Sequence, residues 1–277
     1  MIISIASGKG GTGKTTVATN LALSLGNVQL LDCDVEEPDV HIFLSPRIEG
    51  EIPAVIPVPR VDKGKCTYCG KCGEVCEFHA IVVVKDTVLN FDELCHGCGA
   101  CAYVCPEDAI TEVERQIGTI RIGSAGEIGF VEGVLNIGEP MASPLIREEK
   151  RFIRNPGTVI LDAPPGTSCP VIETVRGTDF CLLVTEPTPF GLNDLELAVG
   201  MAEKLGVPMG VLINRADVGD RGVWDFCREK RIPILMEIPL DQRIAELYSR
   251  GIPLVREMEE YRSAFRELFG KIRELVG

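Results

Sequence analysis

The chain has 277 residues, of which 45% are hydrophobic and 25% charged; this ordinary usage excludes a disordered or fibrous protein, and the length suits one large domain or a domain carrying a smaller one at roughly 100 to 200 residues each. Its 41 acidic against 28 basic residues leave a net charge of −13, which repels phosphate backbones and anionic bilayers and argues against nucleic acid and membrane surfaces as partners. No apolar run reaches the roughly 18 residues of a membrane span, and Met1 to Ala6 is too short for a signal-peptide core, so a cytoplasmic protein without a stable membrane anchor is expected.

Residues 2–6 form a short apolar run that ends in the glycine-rich segment Ser7 to Thr16. A helix follows, with Val17, Leu21 and Leu25 on one face and Gly26 where it stops. A second apolar run, Val28 to Leu31, leads to Asp32 and Asp34. Strand, glycine loop, helix and strand open a parallel α/β sheet. Pro53, Pro57 and Pro59 then break the rhythm and lead into a cysteine-rich block, after which short, glycine-punctuated strands are expected at 120–122 and 130–135. Buried strands return at 158–162 and 180–184, and a helix with Leu192, Leu195, Val199 and Ala202 on one face runs to Gly206. Strands at 209–213 and 232–238 come next. The last helix carries Met258, Tyr261, Phe265, Leu268, Ile272 and Leu275 on one stripe, as a packing helix does. The expected fold class is α/β, a mostly parallel sheet flanked by helices over residues 1–60 and 112–277, with a small α+β domain inserted at 61–111.

Gly8-Lys9-Gly10-Gly11-Thr12-Gly13-Lys14-Thr15, followed by Thr16, satisfies the P-loop pattern G-x-x-x-x-G-K-[ST] between a strand and a helix. Glycines let successive N–H groups converge on phosphate oxygens, and the helix N-terminus adds positive potential. Lys14 is expected to reach the β and γ phosphates of ATP, and the Thr15 hydroxyl to ligate Mg²⁺.

The additional Lys9 makes the loop resemble the deviant Walker A motif of the MinD/ParA/Mrp family of ATPases. That resemblance implies a P-loop NTPase fold and a homodimer with ATP at its interface, in which Lys9 reaches the partner's nucleotide as a catalytic group beside Lys14. Asp34, in Asp32-Cys33-Asp34, is similar to the switch I aspartate that positions the attacking water near Mg²⁺, which counts it with Thr15 and Asp162 among the residues expected around the metal. Asp162, in Asp162-Ala163-Pro164-Pro165-Gly166, resembles the switch II aspartate that acts on Mg²⁺ through water. Asn214 matches the adenine-reading asparagine, and Pro239 and Asp241 match the loop lining the base.

Twelve cysteines in a chain of this length point to metal or redox chemistry. Eight lie in two runs, Cys66-x2-Cys69-x2-Cys72-x3-Cys76 and Cys95-x2-Cys98-x2-Cys101-x3-Cys105-Pro106. Both fit the bacterial ferredoxin run, whose fourth cysteine serves the other cluster. One 4Fe-4S cluster is therefore expected on Cys66, Cys69, Cys72 and Cys105, and a second on Cys76, Cys95, Cys98 and Cys101. Residues 81–84 and 87–89 suit the hairpin between them. Cys105 precedes a proline whereas Cys76 precedes Glu77, which leaves the backbone near Cys76 open. His79 and His96 are expected to be neighbours of ligands. Cys169 reads as a buried or redox-active thiol.

As a whole the chain resembles MinD/Mrp-type ATPases with an inserted two-cluster ferredoxin domain. The leading expectation is ATP hydrolysis coupled through dimerisation to electron transfer to a redox partner. The alternative is an assembly or carrier ATPase for iron–sulfur or other metal cofactors, with a cofactor-accepting partner. A positioning ATPase patterning membrane or DNA fits the acidic charge least.

Overall fold

The computed structural model describes residues 1–154 and 157–277. In chain order the elements are β1 (Ile2–Ala6), α1 (Lys14–Leu25), β2 (Val28–Asp32), α2 (Val40–Leu44), β3 (Arg47–Val61), α3 (Lys71–Val75), β4 (Ile81–Val84), β5 (Thr87–Asn90), α4 (Ala100–Tyr103), β6 (Ile110–Ala125) and β7 (Ile128–Leu135). Then come α5 (Ser143–Lys150), β8 (Thr158–Asp162), α6 (Cys169–Val175), β9 (Phe180–Thr185), α7 (Pro189–Leu205), β10 (Met209–Asn214), α8 (Gly222–Lys230), β11 (Ile234–Ile238), α9 (Gln242–Ser249), α10 (Leu254–Glu257) and α11 (Glu259–Val276).

Nine strands form one sheet in the order β11-β10-β9-β1-β8-β2-β7-β6-β3. The pairs from β11 through β7 run parallel. Its central strands are apolar on both faces because helices cover both. Alternate residues part accordingly. Ile3, Ile5, Leu182 and Val184 join Leu21, Phe265, Leu268 and Ile272 in one core layer. Ala6, Cys181 and Leu183 join Val171, Leu195 and Cys227 in another. Of the expected stripe, Phe265, Leu268 and Ile272 on α11 are core, whereas Leu275 near the end of the helix is exposed. This is the α/β P-loop NTPase fold, and among the described residues no helix is long and apolar enough to cross a membrane.

The chain divides into two compact units, 1–51 with 120–134 and 146–277, and 52–119 with 135–145. The second unit holds the cysteine runs and the antiparallel pair β4-β5, with Ile81 opposite Asn90 and Val84 opposite Thr87. Two expectations are corrected. Pro53, Pro57 and Pro59 lie inside the 15-residue strand β3, which is possible because β3 is the sheet's edge and needs ladder donors on one side only. The short strands expected at 120–122 and 130–135 are parts of the longer β6 and β7.

Candidate functional site

Strands β1, β2 and β8 end level with one another, with Ile5 opposite Asp162 and Asp32 opposite Asp162. This sheet edge is where open α/β folds gather ligands. The loop leaving β1 turns into α1 at Gly13, whose φ of 96° is left-handed, a conformation that glycine adopts freely. Gly8 is fixed by packing: a Cβ there would lie 2.1 Å from the Asp194 carbonyl oxygen on α7. Lys14 begins α1 and is 7% exposed, and the buried Thr12 hydroxyl has no partner. The Asn214 amide donates to the Thr12 carbonyl at 2.9 Å, so the end of β10 braces the loop. A cleft of about 370 Å³ beside it is lined by Gly11, Gly13, Thr16, Asn214, Arg215, Pro239, Asp241 and Tyr248, among others. Asp241 also caps α9, its carboxylate accepting from Arg243 N–H at 2.7 Å.

Lys9 was expected to act on a partner. Within the single chain its Nζ lies 3.4 Å from Glu186 Oε2, while Arg215 Nη1 lies 2.8 Å from Glu186 Oε1. Glu186 was not anticipated, since it follows β9 and meets Lys9 only through the β1–β9 pairing.

The carboxylates divide the work. Asp32, fully buried, accepts the N–H groups of Asp39 and Val40 at 2.9 Å each and of Asp34 at 3.3 Å, so it anchors the loop after β2. Ligand oxygens of Asp32, Asp39 and Asp162 lie within 4.8 Å of one another. Neither oxygen of the buried Asp162 has a hydrogen-bond partner. Burial pushes Asp162 above the usual carboxylate range, against the pull of Thr15 and Lys14. Burial likewise lifts Asp34 to about 6, opposed by Lys14. Asp39 was missed because an aspartate before Val40-His41-Ile42-Phe43 reads as an ordinary helix cap.

In the second unit, Cys66, Cys69, Cys72 and Cys105 line one small cavity and Cys76, Cys95, Cys98 and Cys101 line another. The two runs fold alike. Cys66 and Cys95 each accept an N–H from two residues on, Tyr68 at 3.4 Å and Gly97 at 3.5 Å. Cys76 and Cys105 each accept one from four residues on, Ala80 and Ala109, both at 3.3 Å. His79 and Asp108 are left-handed at matching positions, φ 52° and 45°, so Glu77 in place of a proline leaves the backbone near Cys76 like its counterpart. The Phe78 and His96 rings stack at 3.4 Å beside the second set. Burial raises the thiols of Cys72 and Cys95, and that of Cys101 to about 11. Cys169 is exposed rather than buried.

The model of the CobQ/CobB/MinD/ParA nucleotide binding domain matches residues 3–254. The chain belongs to this family. Among relatives of the CobQ/CobB/MinD/ParA domain, an uncharacterized protein of Methanocaldococcus jannaschii is 32% identical over 91% of this chain and 90% of its own length. An iron-sulfur cluster carrier protein of Pyrococcus horikoshii is 27% identical over 99% of this chain and 88% of its own length. The septum site-determining protein MinD of Pyrococcus horikoshii, solved with Mg-ADP, shares the fold at a TM-score of 0.62 and 22% identity, over 100% of this chain and 97% of that one.

Proposed function

We propose that this chain is an ATP-hydrolysing iron–sulfur protein of the carrier class, in which nucleotide-dependent pairing of two copies governs the handling of an iron–sulfur or metal cofactor for an accepting protein. The supporting observation is the joining, in one chain, of a P-loop cleft to two cavities each lined by four cysteines. The relatives named iron-sulfur cluster carriers favour this class over the redox reading expected first.

The residues fit both groups. Unpartnered Asp162 oxygens and the free Thr12 hydroxyl suit Mg²⁺ and a phosphate. With ATP and Mg²⁺ bound, Lys14 would face the β and γ phosphates, Thr15 would hold the metal, Asp34 would orient the attacking water and Asp162 would act on the metal's water shell. Lys9 would have to leave Glu186 to reach the nucleotide of a second copy. Asn214, Pro239 and Asp241 would border the base. In the second unit each cavity is lined by the three closely spaced cysteines of one run and the fourth cysteine of the other, the thiol set that the ferredoxin run offers to a 4Fe-4S cluster. Such clusters supply one-electron redox chemistry when bound, tuned by N–H groups donating to the sulfurs.

A second reading, nucleotide-gated electron transfer to a redox partner, is favoured by those same complete thiol sets, which leave no open position for release. The two readings separate in one experiment. Protein loaded with ⁵⁵Fe is incubated anaerobically with a cluster-free acceptor, with and without ATP and Mg²⁺. ATP-dependent passage of label to the acceptor is the expected result. Full retention, together with reoxidation whose rate depends on nucleotide, would replace the carrier reading with the redox one, and retention without any nucleotide effect would defeat both.

A further inference from the structure

Asp39 has no assigned work beside the P-loop. It occupies the N-cap position of α2, yet its side chain makes no capping hydrogen bond. Asp32 does that work instead, its Oδ2 accepting the N–H groups of Asp39 and Val40 at 2.9 Å each. The loop is thereby folded so that an Asp39 oxygen comes within 4.8 Å of oxygens of both Asp32 and Asp162. Asp162 is 1% exposed and both its oxygens are unpartnered. Carboxylates crowded in this way repel one another unless one of them takes up a proton or a cation lies between them. Asp32 is committed to backbone donors, so Asp39 and Asp162 remain to face one. A hard divalent ion that keeps several waters and takes one or two carboxylates besides phosphate oxygens matches such a pair.

We infer that Asp39 is a positioning residue for the divalent cation that accompanies the nucleotide, holding the ion's water shell jointly with Asp162. This rests on the nucleotide reading proposed above. Asp34 lies outside the three-carboxylate group and is left for the attacking water.

The test uses Mn²⁺ as the probe on the full chain saturated with ADP, free Mn²⁺ being read by EPR. Asp39→Asn is expected to weaken Mn²⁺ binding by about 10- to 100-fold, as loss of an outer-shell partner does, with ADP affinity in EDTA unchanged. Asp39→Ser, another residue suited to an N-cap, is expected to reproduce the loss, since it too lacks the carboxylate; wild-type Mn²⁺ affinity in Asp39→Ser would assign the loss in Asp39→Asn to the amide disturbing the loop and overturn the inference. Equal Mn²⁺ affinity in Asp39→Asn, Asp39→Ser and the wild type would overturn the inference. If ADP fails to tighten Mn²⁺ binding even in the wild type, the nucleotide reading itself falls and takes the inference with it.

Discussion

Glu186 engages two cations at once, Lys9 at 3.4 Å and Arg215 at 2.8 Å, and is itself largely buried. A lysine held this way must break an ion pair before it can serve a second copy of the chain. Lys9 is one-third exposed, so the pair is worth no more than about 0.2–1 kcal/mol. Glu186→Gln is accordingly expected to tighten nucleotide-dependent dimerisation up to about fivefold, measured by sedimentation with a slowly hydrolysed ATP analogue; unchanged or weaker dimerisation would remove the holding role. Asp34 makes a prediction in pH. Its carboxyl is lifted to about 6 by burial, so between the ordinary carboxylate value and 6 the unfolded chain carries fewer protons than the folded one, and stability falls as pH rises. In EDTA without nucleotide, Asp34→Asn should therefore raise the unfolding midpoint above pH 6, by about 1 kcal/mol once solvent screening of this partly exposed group is allowed for. The gain should vanish below pH 4. A gain that is the same at pH 4 and pH 8 would assign it to something other than this carboxyl.

Among the elements, the junction of β1 with α1 is set by close approach. A methyl on Gly8 would sit 2.1 Å from the Asp194 carbonyl oxygen, whereas one on Gly10 would meet only Pro165 Cβ at 3.8 Å. Gly8→Ala should lose about 1–3 kcal/mol by overpacking, and Gly10→Ala much less, in parallel thermal melts. This junction was legible in the sequence because the P-loop is a local pattern, as were the parallel strands, which read as unbroken apolar runs. β3 and the start of β6 were not legible: both are largely exposed, and prolines and alternating charges such as Glu112, Glu114 and Arg115 look like loop until an edge position is known. Asp39, Glu186 and Arg215 escaped for a related reason. Their contacts arise from how strands β1, β2, β8, β9 and β10 line up, and nothing in their own neighbourhoods announces it. The division of cysteines between the two cavities offers an element-scale test. Cys105→Ser should abolish the same cluster EPR signal as Cys66→Ser and a different one from Cys101→Ser; loss of one common signal in Cys105→Ser and Cys101→Ser would refute the crossed assignment.

Across the whole molecule, the twelve cysteines divide by chemical fate. The eight in the second unit line cavities, and the four outside the runs belong to the nucleotide-binding unit. Of those four, Cys33, Cys181 and Cys227 are buried, and burial pushes Cys181 to about 12 and Cys227 to about 11, so they carry almost no thiolate at neutral pH and react slowly. Cys169 alone among them is exposed. Brief alkylation of cluster-loaded protein under anaerobic conditions should therefore modify Cys169 and spare the rest. After iron is stripped with a chelator, the residues of the two runs should become reactive, while Cys33, Cys181 and Cys227 stay protected until denaturant is added, with mass spectrometry locating each adduct. Modification of the runs in iron-loaded protein at the rate seen after stripping would remove the case for clusters on those eight sulfurs, and the P-loop half of the molecule would then stand as a nucleotide-binding domain without the cargo proposed for it.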